Sequence, residues 1–380
     1  MQKFRLLKKI SSIRGIDFLL PFVALFVLFA FGEISFRFYH FILYQRDFIE
    51  GYDPNACLQL DEKVGWRVRG FCSLKRKCFD SGGNPYDVQI MMGRWGFRSF
   101  DDLPQDVGKT RLMVIGDSFT QALEVSDDQA YWSVLKKKMP VALYVYGVIG
   151  YGNLQEGMIL DEYLDLVKPD AVLLQLCSND FINNSLELEN TSFINSQRQR
   201  RPYLKENGEI FYATPGTVPA LRTALTRYSR VFGFLFHRFD LAQARWRGYK
   251  SVELEIERKN GEVREYKKSL RTTALIFRKI KERCGNVPVY AFVADPTPPF
   301  YEDFRKLCAD AGFIFIDGVA EGIKKEAKRG AGVFVRDEGH WSPLGHAIGG
   351  EALAAALERH LSPHGKSGKG TERCETWRRR

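Results

Sequence analysis

Arg111-Leu112-Met113-Val114-Ile115-Gly116-Asp117-Ser118-Phe119-Thr120 decides the architecture. A short apolar run that stops on glycine reads as a buried parallel strand turning sharply toward a helix. The same rhythm repeats downstream. Gln129–Lys138 reads as a helix stopped by Pro140, and Val141–Tyr146 as a second strand. Asn153–Val167 has helical spacing through Leu154, Met158, Leu160 and Leu164, with Asn153 as its expected N-cap. Ala171–Leu176 is a third strand. After a long interruption come a helix near 264–283, strand Val287–Val293, helix 300–311, strand Phe313–Ile316 and a last helix over 343–360. Five short apolar strands alternating with helices predict a parallel sheet covered on both faces.

The interruption, residues 181–262, is polar and too long for a crossover, so it reads as an insertion. Asn207-Gly208 and Asn260-Gly261 each read as a hairpin turn, with a helical stretch over 218–246 between them. Residues 45–110 read as a small irregular or β extension packed on the main domain of 111–361.

Composition narrows the function classes. The 380 residues carry a net charge of +10. Nine of those ten charges lie in two tails, +5 over residues 1–16 and +4 over 362–380. The body between is nearly neutral, so it has no electrostatic footprint for nucleic acid. The Gly/Ser/Lys/Arg-rich tail 362–380 reads as disordered. Seven cysteines are too dilute for a disulfide scaffold, and no Cys-x-x-Cys or Cys/His cluster suggests a metal.

The N-terminal segment sets the compartment. Phe18–Gly32 is fifteen residues without a charge, roughly 22 Å of helix. The apolar character continues past Glu33 and Arg37, which are spaced to pair on one helix face. With the basic start, 17–44 reads as a signal anchor with the N-terminus in the cytoplasm. That makes a single-pass protein of the cytoplasmic membrane, its body in the periplasm or another extracytoplasmic space. A buried amphipathic helix is a third reading; a cleaved signal peptide is the leading competitor, with Ala30-Phe31-Gly32 a poor cleavage site. In either leading case disulfides become available to Cys57, Cys72, Cys78, Cys284 and Cys308.

The strand ends carry the chemistry, since open α/β sheets gather their active groups beyond the carboxyl ends of strands. Ser118 follows the first strand and is the expected nucleophile. His340 is the general base, and Asp337, three residues earlier, holds the imidazole. The Ser118 N–H, the Gly150 N–H and the Asn179 amide are the expected oxyanion donors.

These blocks resemble the SGNH, or GDSL-type, hydrolase family: Gly-Asp-Ser 116–118, Gly150, Asn179 and Asp-x-x-His 337–340. Trp95-Gly96-Phe97-Arg98, Arg201-Pro202-Tyr203 and His340-Trp341-Ser342-Pro343-Leu344-Gly345-His346 look like pieces of its membrane-anchored bacterial members. The third block departs from the family pattern, with Cys177 in place of a glycine, and Val145 stands where asparagine is common. The resemblance implies a flavodoxin-like three-layer α/β/α sandwich on five parallel strands, preceded by one transmembrane helix, with no metal or cofactor. It implies a serine esterase acting on an ester-bearing small molecule or an acetylated envelope polysaccharide. An O-acyltransferase using the same residues, or a non-catalytic glycan-binding protein on the same scaffold, are the alternatives.

Overall fold

The computed structural model describes residues 2–44, 57–101, 108–192, 195, 199–246, 251–336 and 339–361. The expected tail 362–380 and the expected acid Asp337 lie outside the described residues.

Helix α1 runs from Gln2 to Tyr44 without a break. Its segment Leu19–Tyr39 has 21 residues and a mean hydropathy of 2.2, and none of them is fully buried. At 1.5 Å per residue that is about 32 Å, the thickness of a hydrocarbon core. The stretch outlasts the fifteen uncharged residues and takes in Glu33 and Arg37, which pair at 2.8 Å.

Two hairpins follow, β1 (Leu58–Asp61) with β2 (Gly65–Val68) and β3 (Ser73–Phe79) with β4 (Pro85–Met91). A Cys57–Cys72 disulfide joins their starts across 15 residues. Closing a loop of that length is worth about 3 kcal/mol against the unfolded chain. Cys284 and Cys308, also expected to have disulfides within reach, form none and are buried, as is Cys177.

The main sheet has the order β12-β11-β8-β6-β7-β5. Its strands are β5 (Ser99–Phe100), β6 (Thr110–Gly116), β7 (Val141–Gly147), β8 (Ala171–Leu176), β11 (Val289–Val293) and β12 (Ile314–Phe315). The five expected strands are all parallel. The sixth, β5, comes from the extension and closes the β7 edge antiparallel, making the sheet mixed. Alternate side chains enter two cores. Met113, Ile115, Tyr144, Val172 and Leu174 face one, with the extension. Leu112, Val114, Leu143 and Leu173 face the other. The first face carries α4 (Asn153–Val167), α10 (Arg264–Cys284) and α11 (Phe300–Ala311). The second carries α3 (Tyr131–Lys138), α12 (Val319–Lys328) and α13 (Pro343–Leu361). Each fully buried aliphatic side chain contributes roughly 1.5–3 kcal/mol, so these alternating runs account for the three layers. Helix α12 is an addition to the sequence reading.

The remaining elements are α2 (Ser118–Gln121), α5 (Asn179–Asn183), α6 (Leu186–Thr191), β9 (Arg201–Leu204), β10 (Ile210–Ala213), α7 (Thr217–Tyr228), α8 (Arg230–Trp246) and α9 (Val252–Arg258). Asn207-Gly208 turns the β9–β10 hairpin, as expected. Asn260-Gly261 does not make a hairpin. It ends α9, with Asn260 at φ 48°, Gly261 at φ 80° and the Gly261 N–H on the Ile256 carbonyl at 2.8 Å. Left-handed backbone serves a helix end as well as a hairpin turn, so the dipeptide alone does not separate them.

Candidate active site

Three strand ends meet at one edge of the sheet. Strand β6 delivers Gly116, and the chain turns at once into α2. Asp117 caps that helix, its Oδ1 accepting the Phe119 N–H at 3.0 Å. A buried Gln175 from the neighbouring β8 fixes the turn from below, its Oε1 accepting the Asp117 N–H at 3.1 Å and the Thr120 hydroxyl at 2.9 Å. Glycine is required here for space: a Cβ on Gly116 would lie 2.4 Å from that same Gln175 oxygen. From the extension, Arg98 is buried and donates to the carbonyls of Gln121 (2.6 Å) and Ala122 (3.1 Å), closing the other end of α2. So α2, only four residues long, is held at one end by the Asp117 side chain and at the other by the Arg98 guanidinium.

The result is an aimed hydroxyl. Ser118 Oγ lies 2.8 Å from His340 Nε2. The imidazole packs on Phe119, with ring centroids 4.9 Å apart. On its far side, His340 Nδ1 has the Glu124 carboxylate at 3.8 Å. Glu124 is buried, and the Arg76 guanidinium of β3 stands 3.7 Å from it. The sequence reading did not single out Glu124. It sits six residues after Ser118 in a connection whose conformation no local pattern announces. Asp337 was the expected partner of His340; it falls outside the described residues.

Gly150 follows β7 and has φ +75°, a conformation a Cβ disfavours. Its carbonyl accepts from Arg201 at 2.6 Å and from the Asn183 amide at 3.3 Å. Arg201 also donates to Gln155 (2.8 Å), pairs with Glu189 (3.1 Å) and lies over the Trp66 ring at 4.8 Å. The insertion and the extension therefore clamp the Gly150 loop together. Trp66 closes the clamp through its indole N–H on the Ile149 carbonyl at 3.2 Å.

Asn179 opens α5, beyond the end of β8. Its side chain lies against the Asp117 carboxyl. The following Asp180 is buried and accepts the Cys177 N–H at 3.0 Å, which pins the turn. Asn153 is not the N-cap expected of it; Gly152 takes that place. The buried Asn153 amide instead bridges Asp180 (3.0 Å) and Glu156 (2.9 Å). Burial pushes the Glu156 and Asp180 carboxyls well up; the charge of Asp117 adds to both shifts, and that of Glu156 adds to the shift of Asp180. Burial raises Asp117 as well, against the pull of the Phe119 N–H and His340. The set is thus three neighbouring buried carboxyls, biased toward holding protons. Burial likewise holds the Cys177 thiol well above its ordinary range, which removes thiolate character and with it a second nucleophile.

His346, six residues after His340, differs sharply from it. It is fully buried, stacks on Tyr131 and accepts the first N–H of α3 on Nδ1 at 3.2 Å. Burial lowers it to about 3, so it is a neutral structural acceptor.

An imidazole-paired serine on a strand-to-helix turn, at the carboxyl edge of an α/β sheet, defines a serine hydrolase. The chain belongs to the GDSL-like lipase/acylhydrolase family, whose profile matches residues 112–353. Its fold is similar to that of several solved structures at low identity. The lipase/acylhydrolase from Enterococcus faecalis is 14% identical, with 67% of this chain and 98% of that one covered and a TM-score of 0.38. The psychrotrophic esterase EstA from Pseudoalteromonas sp. is 11% identical, with 67% and 99% covered and a TM-score of 0.38. The acetyl xylan esterase AlAXEase is 13% identical, with 65% and 99% covered and a TM-score of 0.36. No curated protein matches the sequence.

Proposed function

We propose that this chain is a membrane-anchored serine esterase that cleaves short-chain carboxylic esters, acetyl esters of envelope polysaccharide among them, outside the cytoplasm. The observation that carries the chemistry is the 2.8 Å contact between Ser118 Oγ and His340 Nε2. In this reading His340 takes the Ser118 proton as the oxygen attacks the ester carbonyl. The Ser118 and Gly150 N–H groups and the Asn179 amide receive the oxyanion. Collapse expels the alcohol, which takes the proton from His340 and leaves an acyl-Ser118. Water, deprotonated by His340, then attacks that ester; collapse releases the acid as His340 returns the proton to the Ser118 oxygen. Asp337 orients the imidazole, and Glu124 adds negative charge on the Nδ1 side. The acetyl preference rests on the family resemblance. Location rests on α1 and on the Cys57–Cys72 bridge, a feature of oxidising compartments. The test is turnover of an activated acetyl ester by the full chain and by Ser118→Ala. Equal rates for the two would remove Ser118 from the mechanism.

A further inference from the structure

Helices α7 and α8 form a hairpin outside the three layers, and α8 lies on α1. The junction is specific. Glu33 of α1 accepts from the Ser229 hydroxyl (2.8 Å) and from the N–H groups of Arg230 (3.0 Å) and Val231 (3.1 Å), so it caps the start of α8. Its i+4 neighbour Arg37 donates to the Tyr228 carbonyl at 3.0 Å, the last residue of α7. The two charges inside the apolar span are thus consumed by the hairpin bend. Around them, Phe29 packs on Phe232 with centroids 5.3 Å apart and Phe36 on Phe234 at 4.9 Å. Val231 sits where a side chain on Gly32 would be, with a Cβ there 3.3 Å from it.

The hairpin then turns large apolar side chains outward. Leu221, Tyr228, Leu235 and Phe239 are all more than half exposed, and Trp246 is 86% exposed. The α/β body, by contrast, buries its large aromatics. The same stretch, 217–246, holds five arginines and one aspartate. Basic charge beside outward aromatics is the composition of a helix lying in a membrane interface. Depth agrees: Glu33 is six residues from the Tyr39 end of the span, about 9 Å along α1, within the range at which interfacial helices settle.

We infer that α7–α8 is an interfacial hairpin embedded in the leaflet on the body's side, its occupant being lipid. Since Val231, Phe232 and Phe234 touch the span at Phe29, Gly32 and Phe36, the bilayer that covers those residues covers the start of α8 too. The inference rests on the anchor reading of α1. It gives the protein a second, lateral membrane contact that fixes the body against the surface.

The experiment uses the full chain in vesicles of phosphatidylcholine and phosphatidylglycerol with an apolar carbene photolabel, mapped by peptide mass. Labelling of both 19–39 and 230–246, with 264–336 unlabelled, is the expected result. Labelling of 19–39 alone overturns the hairpin proposal and leaves the anchor standing. Labelling of neither overturns the anchor itself. Protection of 230–246 by cross-linking to a second copy assigns that face to self-association and also overturns the proposal. Glu33→Ala should strip most label from 230–246 while 19–39 keeps it. Leu235→Ser/Phe239→Ser, which leaves the cap intact, should do the same with ester turnover unchanged. If both variants label like the wild type, the hairpin is not in the lipid.

Discussion

Two carboxylates in this molecule do the same job at very different ranges. Asp117 caps α2 from the adjacent position, across two residues. Glu33 caps α8 across nearly two hundred. Both place an acid where a helix leaves its first N–H groups unpaired, and both accept from those groups. The first is part of a site whose geometry is set within one turn of chain and reinforced by Gln175 and Arg98. The second joins two elements that have nothing local in common. What the difference teaches is that local pattern fixes where a reactive group sits, and distant pairs fix how the frame around it is held.

The largest expected effect lies at the local end. Ser118→Ala should lower ester turnover by about 10⁴–10⁶, with the fold intact by circular dichroism. Next is the His340 partner. Asp337→Asn should cost about 10⁴ in kcat, as loss of the imidazole-orienting carboxylate does elsewhere, whereas Glu124→Gln should cost far less. The reverse ranking would make Glu124 the acid of the triad and would transfer that role from the D-x-x-H motif to the connection after α2.

The clamp on Gly150 comes third. Arg201→Ala should lower kcat by about 10²–10³ with little change in KM, because the guanidinium holds the Gly150 carbonyl and so positions that loop. A rise in KM at constant kcat would instead make Arg201 a binding residue.

Smaller effects separate the frame from the site. His346 is neutral in the fold and ordinary when unfolded, so the unfolded chain binds the extra proton below pH 6.5. Its contribution is complete above that pH and is lost as the pH falls toward about 3. His346→Gln should be less stable at pH 7 but show a shallower fall in melting temperature between pH 6.5 and 4. An equally steep fall in both proteins would clear His346 of the acid sensitivity. Smallest is Glu33→Gln, expected to cost about 1 kcal/mol at the α8 cap. Faster hydrogen exchange should be confined to 217–246, with turnover unchanged.

Much of this was legible in sequence. The five parallel strands were, because each is a short apolar run that ends at a turn, and a buried strand needs little else. So was the approach of Ser118 and His340 to one another, because the strand-end rule says where to look. Residues that act at a distance were not. Trp95-Gly96-Phe97-Arg98 and Arg201-Pro202-Tyr203 were visible as motifs, but nothing local says that Arg98 closes α2 or that Arg201 holds Gly150. Glu33 read as half of an i,i+4 pair, which it is, and its cap on α8 lies beyond any window. Asn153 and Asn260-Gly261 misled for a shared reason: asparagine's short amide and its tolerance of left-handed backbone suit several structures, and packing chooses among them.

The central claim is that Ser118 is a nucleophile made reactive by His340. Intact-mass analysis after treatment with an alkyl phosphonate ester tests it most directly. A single phosphonyl group on the peptide holding Ser118, absent in Ser118→Ala and greatly slowed in His340→Ala, is the predicted result. No adduct on the folded wild-type chain, or an adduct on another residue, would contradict it.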